Sequence, residues 1–357
     1  MSVKNGVKTY YRRHANVYRK RYCLATAVSE IEVSSARAVY SGSSALSGGP
    51  QQALRSEVSE LLTEAKPLRI AVGIATVGRP QILRETLSEL KRQERPANHI
   101  IVSHCSEKDV VGLRLDTDGI SYVCAPLGLT KQRNAIINAA RDFDILVFFD
   151  DDFFPCARYL EIIEKAFQTN VNYQVVTGTL LADGIKGQGI EPATARLIIQ
   201  RDVGAPTPLS SREVYNGYGC NMSVRLASVL ERGVCFDENL PLYGWLEDVD
   251  FSRRVAHMGK IVRIDGARGV HLGIKIGRTT GVRLGYSQIA NPIYMVRRGS
   301  LSLPRAFGQM MRNVFANLAR TMFPEPNIDR AGRLRGNLRA VTDLFRRRCH
   351  PKRILDL

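Results

Sequence analysis

Two acidic groups are the residues best equipped for chemistry: Asp150-Asp151-Asp152, and Glu247-Asp248 about a hundred residues later. Three adjacent carboxylates repel one another, so holding them together costs free energy unless a cation offsets the charge. Alternate side chains of an extended segment point the same way, so Asp150 and Asp152 can share one target. Carboxylate oxygens completed by phosphates and water describe a Mg²⁺ or Mn²⁺ site. A solvated acidic turn is the plain alternative, but this triplet directly follows the apolar run Ile145 to Phe149. Glu247-Asp248 opens a helical pattern in which Val249, Val255 and Met258 recur and Gly259 marks the end. Acids at that position also gain from the helix dipole, so alone the pair could be no more than a cap.

The surrounding elements place the triplet where ligands gather. Arg69 to Ala75 reads as a buried strand, and Pro80 begins a helix with Leu83, Leu87 and Leu90 on one face. His99 to Ser103 and Ser121 to Ala125 are further strands, and Thr130 is expected to cap a helix running to about Arg141. Ile145 to Phe149 has no polar break, as suits a parallel sheet covered on both faces. Strands alternating with helices predict one doubly wound, mostly parallel α/β sheet, whose ligand sites lie at the carboxyl ends of its strands.

Charge is distributed unevenly along the 357 residues. Of the net +17, residues 1–29 hold seven Lys/Arg and no acid, and residues 297–353 hold fourteen against Glu325, Asp329 and Asp343. The stretch 30–296 sums to zero, so the basic character belongs to the ends and suits a polyanion such as an anionic membrane face. Seven scattered cysteines with no C-x-x-C give no support to a zinc or redox site and fit free thiols in a reducing compartment. No apolar run reaches the ~20 residues that span a bilayer. The apolar stretch from Cys23 to Val28 is too short for a cleaved signal peptide, so the expected location is cytoplasmic. Three segments are expected: a basic stretch 1–66 with a linker at Ser41 to Gly49 and a short helix from about Gln51 to Glu64, a catalytic domain 67–299, and a helical extension 300–357.

In order along the chain come a strand ending at Thr76, Gly128-Leu129-Thr130-Lys131-Gln132-Arg133-Asn134, Phe148-Phe149-Asp150-Asp151-Asp152 and Gly217-Tyr218-Gly219-Cys220-Asn221-Met222-Ser223-Val224-Arg225. Gly244-Trp245-Leu246-Glu247-Asp248 and His271 follow. From Leu68 to Gly299 this set resembles the family 2 glycosyltransferases of the GT-A fold, in particular the bacterial exopolysaccharide enzymes. The resemblance implies inverting transfer of a sugar from a nucleotide-diphosphate sugar to a hydroxyl of a glycan or lipid-linked saccharide. It assigns Asp152 and His271 to the metal, Asp248 as catalytic base, and Glu247 as its neighbour orienting the acceptor. Thr76, Ser103, Lys131, Arg133, Asn134, Asp150 and Asp151 would line the nucleotide-sugar, and Trp245 and Asn221 the acceptor. One departure stands out: many family members carry an Asp where this chain has Ser103, so a uridine donor is implied by family habit alone.

Ser302 and Pro304 open a helix on which Leu303, Phe307, Met310, Met311, Val314, Phe315, Leu318 and Met322 make one broad apolar face. A second helix carries Leu334, Leu338, Val341 and Phe345. Arginines elsewhere on both suit an anionic leaflet, and cover for the catalytic domain is the alternative. Among rival functions, a nucleotidyltransferase wants a Gly-rich phosphate loop after the first strand, and an oxidoreductase wants G-x-G-x-x-G there; Ala75 to Arg79 has neither. A nucleic-acid-binding protein using the basic ends would leave both acidic groups without a purpose, and no nucleic acid is expected as a partner.

Overall fold

The computed structural model describes residues 67–113, 118–274, 280–323, 325 and 328–357. The expected linker and short helix before residue 67 lie outside them. In chain order the described elements are β1 (Ile70–Ala75), α1 (Pro80–Leu90), β2 (His99–His104), β3 (Ile120–Cys124), α2 (Leu129–Ala139), β4 (Ile145–Asp150), β5 (Phe153–Pro155), α3 (Tyr159–Thr169) and β6 (Tyr173–Asp183). There follow α4 (Pro192–Asp202), β7 (Ser211–Glu213), β8 (Asn221–Arg225), α5 (Leu226–Glu231), α6 (Glu247–Val255), β9 (Lys260–His271), α7 (Gly281–Arg297), α8 (Leu303–Met322) and α9 (Arg330–Phe345).

One sheet runs β3-β2-β1-β4-β8-β6-β9-β5, with β7 on β9. Six of these nine described strands point one way, while β5, β7 and β8 run against them. Alternation delivers the central strands to two cores at once. Ile70, Val72, Ile74, Ile145, Val147 and Phe149 pack with the leucines of α1 and with α3 on one face. Ala71, Leu146 and Phe148 pack with Ile136 of α2, Val229 of α5 and Phe251 of α6 on the other. The expected α/β architecture with helices on both faces is thus observed.

Two local expectations are corrected, and an open one is partly answered. Thr130 lies inside α2 rather than capping it; Gly128 holds the cap position and the Thr130 hydroxyl donates to Leu240 O at 3.2 Å. Helix α6 stops at Val255, short of Gly259, because the chain must turn into β9 at Lys260. The broad apolar face of α8 is only partly covered: Met310 and Val314 pack inward beside Tyr286 and Ile289 of α7, whereas Phe307, Phe315 and Met322 stay exposed.

Candidate active site

Strand polarity collects the site at one edge of the sheet. Residues Thr76, Ser103 and Asp150 stand at the carboxyl ends of β1, β2 and β4, and Ala75 is opposite Asp150 in register. Because β8 runs antiparallel, its first residue Asn221 pairs with Phe149 at this same edge. Strands β6 and β9 end together on the paired residues Asp183 and His271.

The three aspartates take different directions. Asp150 Oδ2 and Asp152 Oδ1 lie 3.9 Å and 3.5 Å from His271 Nε2. One ligand atom from each of these three residues falls within 4.8 Å of the others, and no second such group occurs among the described residues. Asp151 turns inward instead. It is fully buried, accepts from Thr76 Oγ1 at 2.6 Å and pairs with Arg79 at 2.6 Å. This differs from the expectation that Asp151 touches a donor. Burial pushes its carboxyl up to about 7 against the opposing pull of Arg79. Arg79 also approaches Asp152 Oδ2 at 3.5 Å, and Ile274 N–H donates to that oxygen at 2.7 Å. Burial alone would raise the Asp152 carboxyl, but the hydrogen bond and charge of His271, with Arg79, hold it below the ordinary range.

His271 is oriented from behind. Its Nδ1 lies 2.9 Å from Asp183 Oδ1, while Tyr218 Oη donates to Asp183 Oδ2 at 3.2 Å. Burial would lower the imidazole, yet the hydrogen bonds to Asp152 and Asp183 carry it up to about 10. With Nδ1 fixed on a carboxylate, Nε2 faces the two aspartate oxygens, which is how metal-bound histidines are usually aimed. Two carboxylates and one imidazole therefore fit a divalent ion, with Mn²⁺ better matched than Mg²⁺ to the nitrogen donor. Asp183→Asn should weaken Mn²⁺ binding by ~10–100-fold in calorimetric titration, because it frees the imidazole without touching a ligand. Unchanged affinity would argue against this site.

The second acidic group reaches the same pocket through Arg133. From α2 its guanidinium donates to Glu247 Oε1 at 2.7 Å, to Gly219 O at 2.8 Å and to Asp150 Oδ1 at 3.3 Å. The rings of Phe148 and Phe236 lie 5.5 Å and 5.4 Å from it, closing off water. Glu247 is buried, and desolvation raises its carboxyl to about 8 despite Arg133. Asp248 is partly exposed; Gly219 N–H and Val249 N–H donate to its two oxygens at 3.1 Å and 2.8 Å. Burial raises it as well, against the pull of Arg133 and those amides.

The loop before α6 is strained. Leu242 and Leu246 both adopt left-handed backbone, at φ 57° and 70°, which costs a β-carbon-bearing residue on the order of 1 kcal/mol or more. Tethers hold it: Leu129 N–H donates to Leu242 O, and Asn291 Nδ2 to Trp245 O, both at 2.8 Å. Beyond these left-handed residues Asp248 accepts from Gly219 N–H, and Trp245 lies beside Tyr243 with their rings 6.5 Å apart.

Not every expected residue joins this pocket. Lys131 is half-buried in the first turn of α2. The Asn134 amide is taken up by Phe236 O and Glu238, pinning the loop beyond α5. Asn221 is enclosed, accepting from Thr177 Oγ1 at 2.6 Å, and Ser103 is buried with its hydroxyl unpaired. Conversely, Arg79, Asp183 and Tyr218 enter the site without having been singled out. Arg79 precedes a helix-opening proline in a turn after β1, a usable signal; Asp183 carries no local motif.

No family model matches the chain, and no curated protein matches it. Among solved structures it is similar to S. aureus TarS, with TM-score 0.44 and 15% identity over 63% of this chain and 40% of that one. It is also similar to GalNAc-T7 with UDP, GalNAc and Mn²⁺, with TM-score 0.47 and 14% identity over 67% of this chain and 52% of that one. A third is the mannosyltransferase PcManGT from Pyrobaculum calidifontis in complex with GDP-Man and Mn²⁺, with TM-score 0.45 and 14% identity over 83% and 88% of the two chains. The chain spans about half or less of the first two.

Proposed function

We propose that this chain is a metal-dependent, inverting glycosyltransferase of the GT-A type. It would move a sugar from a nucleoside-diphosphate donor to a hydroxyl of a glycan or lipid-linked saccharide, in exopolysaccharide assembly. The observation that carries this reading is the Arg133 bridge, which brings the Asp150-Asp152-His271 group and the Glu247-Asp248 group to one sheet edge. Two acidic groups with different surroundings are what the chemistry needs: one to hold a cation, the other to take a proton.

A divalent ion held by Asp150, Asp152 and His271 would supply Lewis-acid stabilisation to a departing diphosphate. Asp248 is the proton acceptor for the incoming hydroxyl, since its raised affinity for a proton brings it nearer the working pH. The amides of Gly219 and Val249 fix both of its oxygens, so the base is oriented before the acceptor arrives. Glu247 is committed to Arg133 and shapes the pocket rather than taking the proton. Trp245 offers a ring face to a sugar, and Thr76, Ser103 and Lys131 stand on the donor side by resemblance.

The test is a panel of nucleoside-diphosphate sugars scored for diphosphate release with Mn²⁺, with Mg²⁺ and with chelator. The expected outcome is turnover of one donor class that chelator abolishes. Salt-sensitive RNA or DNA binding with no turnover of any donor would overturn the reading.

A further inference from the structure

Helices α8 and α9 bury only part of their apolar surface, with Met310, Val314 and Leu344 turned inward. On the side facing α7 they carry small and polar residues: Ala306, Asn317, Gly332, Gly336, Asn337 and Ala340 are all buried. Backbones approach so closely that a β-carbon on Gly336 would meet Val282 O at 2.1 Å. Asn317 Nδ2 donates to Gln288 Oε1 at 2.8 Å and to Asn337 Oδ1 at 2.9 Å, and Asn337 Nδ2 donates to Gly285 O at 2.7 Å. Most of the large apolar residues lie outside, with Phe315 64%, Met322 74% and Phe345 84% exposed. A helix packed onto a water-soluble body ordinarily does the reverse.

On α9, Leu338, Val341 and Phe345 recur at i, i+3 and i+7, and the exposed Arg335, Arg339 and Arg346 form a neighbouring stripe. No helix among the described residues is long and apolar enough to cross a membrane. An apolar stripe beside an arginine stripe is instead the pattern of a helix lying in the headgroup plane.

We propose that the outer face of α8 and α9 docks on an anionic lipid bilayer, with Phe307, Phe315 and Phe345 entering the acyl boundary and the arginines meeting headgroup phosphates. Charge selects this occupant. Residues 297–353 carry fourteen Lys/Arg against three acids, so a second copy would present like charge to like. Residues 1–66 carry ten Lys/Arg against five acids and are also basic, so they are a poor cover for this face. A bilayer rich in acidic lipid complements both the apolar and the charged stripe. The proposal stands apart from sugar transfer, since binding is read without turnover.

The test is flotation of the full-length protein with vesicles of equal parts phosphatidylcholine and phosphatidylglycerol, and with phosphatidylcholine alone. The wild type should float with the anionic vesicles and lose much of that binding in high salt. The variant Phe307→Ser/Phe315→Ser/Phe345→Ser should bind at least ~10-fold less, because each ring contributes apolar area to the contact. Arg335→Gln/Arg339→Gln/Arg346→Gln should lose its preference for anionic over neutral vesicles. Both variants should keep the wild-type melting temperature, since every altered side chain is exposed. A wild type that stays in the soluble fraction overturns the proposal, as does a serine variant that floats equally well. A wild-type dimer that Phe345→Ser dissociates, and that does not float, would assign the face to a second copy instead.

Discussion

Asp248→Asn is expected to lower turnover by ~10²–10⁴-fold while leaving donor affinity close to wild type. The substitution preserves volume and breaks no hydrogen bond to the metal group, because Asp248 is held by Gly219 N–H and Val249 N–H and not by Asp150, Asp152 or His271. It removes the capacity to take a proton, together with the negative charge and one of the two oxygens that accept from Gly219 N–H and Val249 N–H. The pH profile gives a second readout. Burial raises the Asp248 carboxyl above its ordinary value. A base must be deprotonated to act, so wild-type turnover at saturating metal should fall as pH drops through that raised value. The residual activity of Asp248→Asn should lack this acid limb. Turnover and donor affinity are separable by single-turnover kinetics and calorimetry, and comparable turnover in mutant and wild type would remove the base from the mechanism.

Which parts of this site could be read from sequence follows from what each reading depends on. Ile145 to Phe149 announces a strand buried on both sides because both faces of the sheet are covered, and an unbroken apolar run is the consequence. The place of the acidic triplet follows directly from that strand. The division of labour within it does not, because it depends on which way each carboxylate turns after the strand ends. Asp151 goes inward because Thr76 and Arg79 are there to receive it, and both come from a segment about seventy residues earlier. Asp183 was illegible for a similar reason: its partnership with His271 exists only through the pairing of β6 with β9. The C-terminal helices mislead in the opposite way. Hydrophobic periodicity assumes that the largest apolar residues face the body, whereas here Met310, Val314 and Leu344 share the inward face with close glycine contacts and an amide network, and the phenylalanines stay outside.

Arg133→Gln should be the most damaging single change to the fold of the site. Arg133 is 2% exposed and is the cation on which Glu247 and Asp150 converge. Its loss leaves a buried carboxylate whose Oε2 already lacks a hydrogen bond. Breaking one partner of such a pair costs about 3–5 kcal/mol, far more than the pair's net contribution. Glu247 can respond by keeping a proton, and this fixes the sign of the pH dependence. Its folded value, about 8 with Arg133 present, lies above the ordinary 4.5. The stability linked to it is therefore complete below about pH 4.5 and is lost as pH rises through about 8. Without Arg133 the carboxyl climbs further, so the deficit of the variant in urea unfolding should widen from acid to alkaline pH. Arg133→Gln/Glu247→Gln should recover much of the lost stability, since an amide pair leaves no uncompensated charge. Arg133→Lys restores charge but not the fork that reaches Glu247, Gly219 and Asp150 together, so it should rescue stability only in part. A double variant as unstable as Arg133→Gln alone would mean that Glu247 is not the charge Arg133 offsets. The two acidic groups would then share a sheet edge without being coupled through that residue.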